Sequence, residues 1–233
     1  MHTISCAICI HAKAPDLGFL NDVRNSIGAV LGDKLRKLRL DDLQSHSVAK
    51  RAIESAGSSF VVIFAHGGSD YVRGGEYSDR LSGERRVVDK FLERKDLGVF
   101  RDKAVFCMSC QSTGFGADAI NAGAVAFVGF DQIPFHRLDE NDNVISSREF
   151  NKQAQGLIAG AVQFCLLNFV TGRLPLDQAV SLTRLWIDKT SVRFVRDKGN
   201  GVDRQDVAAL LLRMKDGMCY AGPSDVRFVQ RHG

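Results

Sequence analysis

Two reactive side chains stand directly after apolar segments that are typical of buried strands. His66 and Gly67 follow Phe60–Ala65, and Cys110 follows Ala104–Ser109. A cysteine attacks a carbonyl carbon efficiently only as a thiolate, so it needs a base or a cation beside it, and an imidazole can supply either. The backbone N–H groups of Gly67 and Cys110 are candidate donors to the oxyanion that this attack creates. The pattern, with His66 44 residues before Cys110, predicts acyl transfer at an amide.

The other cysteine patterns have simpler interpretations. Cys107 lies three residues before Cys110 inside the predicted strand, so the pleat points it to the opposite face and predicts a buried, inert thiol. Cys107 and Cys110 form a C-x-x-C pattern, as do Cys6 and Cys9, but a thioredoxin-type motif opens a helix rather than lying in a strand. The two pairs are too far apart and too apolar to predict a zinc site, and neither a metal nor an organic cofactor is expected.

The glycines after Cys110 support an alternative hypothesis. Residues 114–119 read G-x-G-x-x-A, and Asp131 follows the next apolar run, which is the layout of a dinucleotide-binding fingerprint. Residues 110–113 nevertheless separate the strand from the first glycine, and the helix before Gly123 is too short for a βαβ crossover. A dinucleotide-binding enzyme is therefore the less favoured hypothesis.

Two polar segments are predicted to be loops. The segment Gly68–Arg86 is punctuated by glycines, which predicts a long mobile loop that is either a lid over the site or an ordinary flexible excursion. The acidic segment 139–143 begins like a calcium-binding loop. Val144 occupies the position that needs glycine and Phe150 that of the final glutamate, so the sequence predicts a solvated loop instead.

The elements that position these residues alternate between strands and helices as far as about residue 131. Strands are predicted at Thr3–His11, Leu35–Leu40, Phe60–Ala65, Ala104–Ser109, Ala124–Phe130 and, at an edge, Asp225–Val229; helices are predicted at Leu17–Leu31, Val48–Ala56, Val87–Glu93, Gly116–Asn121, Arg148–Val170, Leu176–Phe194 and Asp203–Met214. This order predicts an α/β sandwich with a mostly parallel central sheet, helices on both faces and a helical C-terminal part. Active groups of such sheets collect at the carboxyl ends of the strands, where His66 and Cys110 would face each other.

Composition fits one soluble domain over residues 1–233. Hydrophobic residues make up 45% and charged residues 25%, which excludes a disordered chain, a collagen-like chain and a small disulfide scaffold. The net charge of +4 is too small and too scattered to predict nucleic-acid binding. The densest basic run, residues 34–39, alternates with leucine and indicates a half-buried strand with a solvated face.

The location predicted from the sequence is the cytoplasm. No targeting segment is visible, because the apolar start lacks preceding basic residues, and the six cysteines lie mostly in apolar runs, which favours reduced thiols. The most apolar stretch, Leu157–Val170, is too short to cross a bilayer and is interrupted by polar residues, so a buried helix rather than a membrane contact is expected.

The two motifs together resemble those of caspase-fold cysteine peptidases of clan CD, and most closely the bacterial CHAT-domain peptidases. The apolar strand followed by His66-Gly67 and the apolar strand ending in Ser109-Cys110 are the paired motifs of that clan; residues 123–130 resemble its next strand and residues 220–225 its C-terminal turn. The resemblance implies that His66 is the catalytic histidine and Cys110 the nucleophile. It also implies that the N–H groups of Gly67 and Cys110 form the oxyanion hole.

The same resemblance places Met108, two residues before the nucleophile, in the primary specificity pocket, together with the loop that holds Asp131, Gln132 and Phe135. Met108 predicts an apolar or small residue before the scissile bond, whereas Asp131 predicts a basic one, and the sequence leaves both open. The segment Gln111–Gly123 is too short for the cleavable linker of caspases. No third residue that would orient the histidine can be named from the sequence.

The resemblance implies a cytoplasmic cysteine endopeptidase that cleaves a specific protein and stays latent, as a zymogen, until an activating protein, cleavage or dimerisation switches it on. Peptidases of this kind commonly act in bacterial defence or cell death. Homodimerisation through the last strand is one hypothesis for activation. The alternative is a catalytically silent caspase-like binding module, against which the intact pair of His66 and Cys110 argues.

Overall fold

The positions of strands and helices come from a computed structural model that describes residues 2–78, 85–87, 90–133, 146–197 and 203–230. The strands are β1 His2–Ile4, β2 Ala7–Ala12, β3 Leu35–Leu40, β4 Phe60–Phe64, β5 Gly67–Gly68, β6 Tyr71–Val72, β7 Glu76–Ser78, β8 Arg85–Val87, β9 Leu92–Glu93, β10 Ala104–Met108, β11 Ala126–Phe130, β12 Met218–Ala221 and β13 Val226–Phe228. The α-helices are α1 Asn21–Leu31, α2 Leu43–Ser55, α3 Gly116–Asn121, α4 Arg148–Val170, α5 Leu176–Arg196 and α6 Arg204–Asp216. Short 3₁₀ helices cover Pro15–Leu20, Gly32–Lys34, Arg94–Phe100 and Ser112–Phe115.

The central sheet has six strands in the order β12-β11-β10-β4-β2-β3, and all except β12 run parallel. Every residue of β2, β4, β10 and β11 is buried, because these runs of valine, isoleucine, phenylalanine and alanine are covered on both faces. The predicted α/β class with a mostly parallel sheet is confirmed.

The helices form two groups. Helices α1 and α5 both pack against α4, with α6 on α4 and α5, whereas α2 and α3 each contact the 3₁₀ helix Arg94–Phe100. Because the central strands are buried on both faces, the two groups cover opposite sides of the sheet. Helix α4 is long and apolar enough by length and composition to cross a membrane, but its buried stripe packs on α1, α5 and α6. It is the core helix that the sequence predicts.

The two ends of the chain differ from the prediction. The segment predicted as one strand, Thr3–His11, is two strands that belong to different sheets: β2 lies in the central sheet, and β1 pairs in parallel with β13. The last strand therefore lies outside the central sheet. The edge position at that end is taken by β12, which pairs antiparallel with β11 and which the sequence did not predict.

The region between His66 and β10 also differs from the prediction. In the described residues that follow His66, β5, β6 and β9 form a small antiparallel sheet, and β7 pairs with β8, where the sequence predicted a long loop. The helix predicted at Val87–Glu93 is wrong, since its described end is the strand β9. Tyr71, Val72, Phe91 and Leu92 give this region the β-propensity of aromatic and branched side chains, which outweighs its helical spacing. The acidic loop 139–143 lies outside the described residues.

Candidate active site

The pairing of β4 with β10 decides whether His66 and Cys110 can meet. Phe60 pairs with Ala104 and Phe64 with Met108, a constant offset of 44 residues, and Ala65 N–H continues the ladder by donating to Met108 O at 3.2 Å. His66 and Cys110 keep the same offset two residues beyond the last pair. The spacing noted in the sequence is therefore the register of two adjacent parallel strands, and both side chains emerge at the carboxyl edge of the sheet.

Gly67 packs directly against the segment that carries the cysteine. A Cβ atom on Gly67 would overlap Ser109 Oγ and would lie 3.2 Å from the carbonyl oxygen of Cys110. Only glycine permits this close approach of the two backbones. The backbone segments of both predicted oxyanion donors, Gly67 and Cys110, consequently lie side by side, although they belong to different strands.

His66 has a carboxylate partner that the sequence did not reveal. Its Nε2 atom lies 3.0 Å from Asp16 Oδ1, and the histidine side chain is 27% exposed. Asp16 lies in the 3₁₀ helix Pro15–Leu20, which follows β2 at the same edge of the sheet. Sequence reasoning missed it because the two residues are 50 positions apart and because residues 17–20 were assigned to a longer helix. The one available signal was an acidic residue just after a strand adjacent to β4.

The thiol of Cys110 is partly buried and sits at the loop that follows β11. Burial raises its pKa above the ordinary value, and the carboxylate of Asp131 adds to the rise. The backbone N–H groups of Ile133 and of Cys110 itself oppose this rise by donating to the sulfur. Burial outweighs them, so the surroundings of Cys110 disfavour its thiolate.

A buried serine fixes the loop that presents Cys110, the candidate nucleophile. Ser112 Oγ lies 2.7 Å from Ser109 O and 2.9 Å from Cys107 O, and it accepts from Phe130 N–H at 2.9 Å. Gln111 adopts a left-handed conformation, φ 57°, which turns the chain sharply after the cysteine. The loop is thereby tied both to its own strand, β10, and to the neighbouring strand β11.

Met108 and Asp131, the two candidates for the specificity pocket, have opposite environments. Met108 is only 2% exposed and belongs to the hydrophobic core, whereas Asp131 is exposed beside Cys110. The backbone of Asp131 is held at both ends, because its N–H donates to Gly217 O at 2.8 Å and its carbonyl accepts from Gln111 N–H at 2.6 Å. Gln132 is exposed next to it, and Phe135 lies outside the described residues.

Arg94 joins the histidine side of the site to the cysteine side. Its guanidinium contacts the carboxylates of Asp70 and Asp118 and donates to Ser69 O at 3.3 Å. Asp70 and Ser69 belong to the turn after Gly67, and Asp118 lies in α3 behind the nucleophile loop. This side chain was not singled out from the sequence, since isolated arginines carry no distinctive pattern.

The remaining cysteines are free thiols, and Cys107 is buried as predicted, with burial raising its pKa to about 12. The glycine segment 114–119 lies in a 3₁₀ turn and in the six-residue helix α3. No group of three or more His, Cys, Asp or Glu side chains suited to a metal ion occurs in the described part of the chain. The sequence matches no model of a known protein family, and no curated protein is significantly similar to it.

Proposed function

We propose that the chain is a cysteine endopeptidase of caspase-like fold in which Cys110 attacks, His66 moves the proton and Asp16 orients the histidine. The observation that carries the proposal is the shared register of β4 and β10, which puts His66 and Cys110 at one edge of the sheet, together with the contact of Asp16 Oδ1 with His66 Nε2 at 3.0 Å. A nucleophile, a base and a third group that orients the base form the arrangement expected for nucleophilic catalysis.

The proton path follows from the two nitrogens of His66. With Asp16 accepting from Nε2–H, the other nitrogen, Nδ1, carries the lone pair and takes the proton of the Cys110 thiol. The thiolate attacks the peptide carbonyl, and the N–H groups of Gly67 and Cys110 donate to the oxyanion. His66 then protonates the leaving amine, and water hydrolyses the thioester. Asp16 stabilises the imidazolium in both stages.

The substrate class we infer has a basic residue before the scissile bond. Asp131 presents an exposed carboxylate close enough to Cys110 to raise the pKa of its thiol, and its backbone is fixed on both sides. Met108, the apolar candidate, is buried in the core and offers little surface to a substrate. A lysine or arginine side chain at this place would pair with Asp131 and remove its unfavourable effect on the thiolate.

The raised pKa of the Cys110 thiol is consistent with a latent enzyme. Binding of a cationic substrate residue beside Asp131, or of an activating protein, would lower the pKa of the thiol towards reactivity. The same observation also favours the second candidate function, a catalytically silent binding module, in which Cys110 would stay unreactive in every state.

The experiment compares new protein N-termini in bacterial cells that express the wild type, Cys110→Ala, Cys107→Ala or Asp131→Asn. We expect new termini with the wild type and with Cys107→Ala, preceded mainly by lysine or arginine, and none with Cys110→Ala. With Asp131→Asn we expect cleavage to fall and the basic preference to weaken. Purified protein is labelled in parallel with iodoacetamide, whose attachment to Cys110 reports whether the thiol is reactive without any choice of substrate.

The outcomes separate the claims. Equal loss from Cys107→Ala and Cys110→Ala would overturn the assignment of the nucleophile. Cleavage after apolar residues would retain the peptidase and reject Asp131 as its specificity group. No cleavage in cells, together with a Cys110 that resists alkylation in the purified protein, would reject a peptidase that is active without a switch and leave the latent enzyme and the binding module.

A further inference from the structure

A polar cavity of about 70 Å³ lies beside the candidate active site, between β2, β3 and the start of α1. It is lined among others by His11, Lys13, Gly18, Asn21, Arg24 and Arg39. A single water needs only about 10–15 Å³ measured in the same way, so the space is sufficient for a small polyatomic ligand. Every charged side chain in its wall is a cation.

The wall is short of negative charge. Arg39 pairs with Asp41 at 2.9 Å, but among the described residues no carboxylate lies within ion-pair distance of Lys13 or Arg24. Lys37 adds a further positive charge, since its Nζ atom reaches towards Gly28 beneath α1. Burial, followed by the charge of Arg24, lowers the pKa of His11 to about 4. The part due to Arg24 reflects the excess of positive charge around the cavity.

Two residues that line this cavity each hold a buried polar atom with no partner among the described residues: His11 at Nδ1 and Arg24 at Nε. His11 is only 5% exposed, and its other nitrogen, Nε2, lies 3.2 Å from Leu17 O, so Nε2 carries the hydrogen and Nδ1 a lone pair. Unpaired polar groups in such a buried setting are costly, and in native structures they indicate a bound water, an ion or a ligand.

We propose that this cavity binds a phosphate group, held by Arg24, Arg39, Lys13 and a protonated His11. The guanidinium groups match the geometry of phosphate oxygens, and the bound dianion stabilises the proton that His11 takes up from solvent at Nδ1. The proposal concerns binding only and does not depend on the proposed peptidase activity. Free phosphate and a phosphomonoester share this chemistry, and the experiment distinguishes them.

The site also has a direct connection to His66. His11 contacts the carbonyl of Leu17, and the adjacent residue in the same 3₁₀ helix, Asp16, contacts His66. An imidazolium donates a stronger hydrogen bond than a neutral imidazole, so phosphate binding holds this helix more firmly. A bound phosphate therefore stabilises the carboxylate that orients His66.

The test is titration calorimetry of the full chain with inorganic phosphate and with AMP, at an ionic strength kept constant with sodium chloride. We expect binding by the wild type, at least about 10-fold weaker binding by Arg24→Gln, and a change below about 2-fold for Arg36→Gln. Arg36 is the matched control because it is an exposed arginine on β3, one residue out of phase with Lys37 and Arg39. Tighter binding of AMP than of phosphate, with the same dependence on Arg24, identifies a phosphomonoester as the ligand.

A second measurement uses only the wild type, so it does not depend on the folding of a variant. In ¹⁵N NMR spectra at pH 7, saturating phosphate should convert the ring signals of His11 from the neutral to the imidazolium pattern. The proposal is overturned if phosphate binds no better than chloride, if Arg24→Gln and Arg36→Gln weaken binding equally, or if His11 stays neutral when phosphate is bound.

Discussion

His11 and His66 stand at the carboxyl ends of adjacent strands, and both use Nε2 to contact the 3₁₀ helix Pro15–Leu20, yet their surroundings differ. His66 meets the carboxylate of Asp16 and is partly exposed. His11 meets only a backbone carbonyl, packs edge-on against Phe64 and has cations around it. The two histidines thus share a position at the sheet edge and differ in the charge of the group that Nε2 contacts, a carboxylate for His66 and a neutral carbonyl for His11. In the proposals made above, this difference assigns proton transfer to His66 and anion binding to His11.

The largest expected effect is a difference between the two histidines in the rate of Cys110 labelling. His66→Ala removes the base, so we expect the rate of Cys110 labelling by an arginyl chloromethyl ketone to fall by about 10³-fold. His11→Gln keeps the base and should lower the rate by less than about 10-fold, through the shared helix alone. Mass spectrometry of the labelled protein measures both rates. Equal losses would mean that the two sites do not differ as described.

The next effect concerns stability against pH. The folded-state pKa of His11, about 4, lies below the unfolded value of about 6.5, so the unfolded chain binds the proton more tightly. Neutral His11 therefore makes its full contribution to the free energy of unfolding above pH 6.5. This contribution is lost as the pH falls to 4, and the loss amounts to as much as about 3 kcal/mol. Urea unfolding from pH 7.5 to 4 should show this loss in the wild type but not in His11→Gln. His46, whose pKa burial also lowers, is present in both proteins and cancels in the difference.

Asp16→Asn tests the partner of His66 without changing the size of the side chain. We expect the catalytic rate to fall at least about 10-fold, yet by less than the roughly 10⁴-fold seen for the buried aspartate of serine proteases, because Asp16 is half exposed and solvent screens its charge. The pH profile of Cys110 alkylation should shift as well, since the neutral amide no longer stabilises the imidazolium. An unchanged rate with an unchanged profile would make the contact incidental.

The smallest effect would connect the two regions. If phosphate strengthens the hold of His11 on the helix Pro15–Leu20, saturating phosphate should raise the rate of Cys110 labelling by roughly 5-fold, at the low end of measured couplings between sites. Arg24→Gln should abolish this increase. An equal increase in Arg24→Gln would assign the effect to ionic strength.

Much of the sheet could be predicted because each central strand is a continuous apolar run that can be recognised from its own residues. Runs such as Phe60–Phe64 and Ala104–Met108 are apolar on both faces, and their equal length and similar composition allow a parallel pair whose offset can be read from the sequence. Helix α4 was predicted with its observed bounds because a serine N-cap precedes a long apolar stripe. Helix α2 begins five residues earlier than predicted, at a capping box formed by Asp42 and Ser45.

The features that the sequence did not predict depend on contacts between distant segments, and such contacts leave no periodic pattern in the sequence. Asp16 reaches His66 only because β2 is inserted next to β4, a strand order that apolar periodicity does not specify. The burial of Met108 and the exposure of Asp131 depend on how the loops after β10 and β11 turn, which is set by Ser112 and by the left-handed Gln111. The short strands β5, β6 and β9 have two residues each, too few for any alternation to be detected.

The edge strand β3 has a consequence for self-association. It is six residues long and leaves one side of its backbone without a neighbouring strand in the described sheet, which would offer a second copy a template for strand addition. Arg36, Lys37 and Arg39 are all exposed along it, so two such edges would repel each other. The positive charge of this edge therefore disfavours a dimer formed through β3. We expect that replacing these three residues by neutral ones would increase aggregation of the protein.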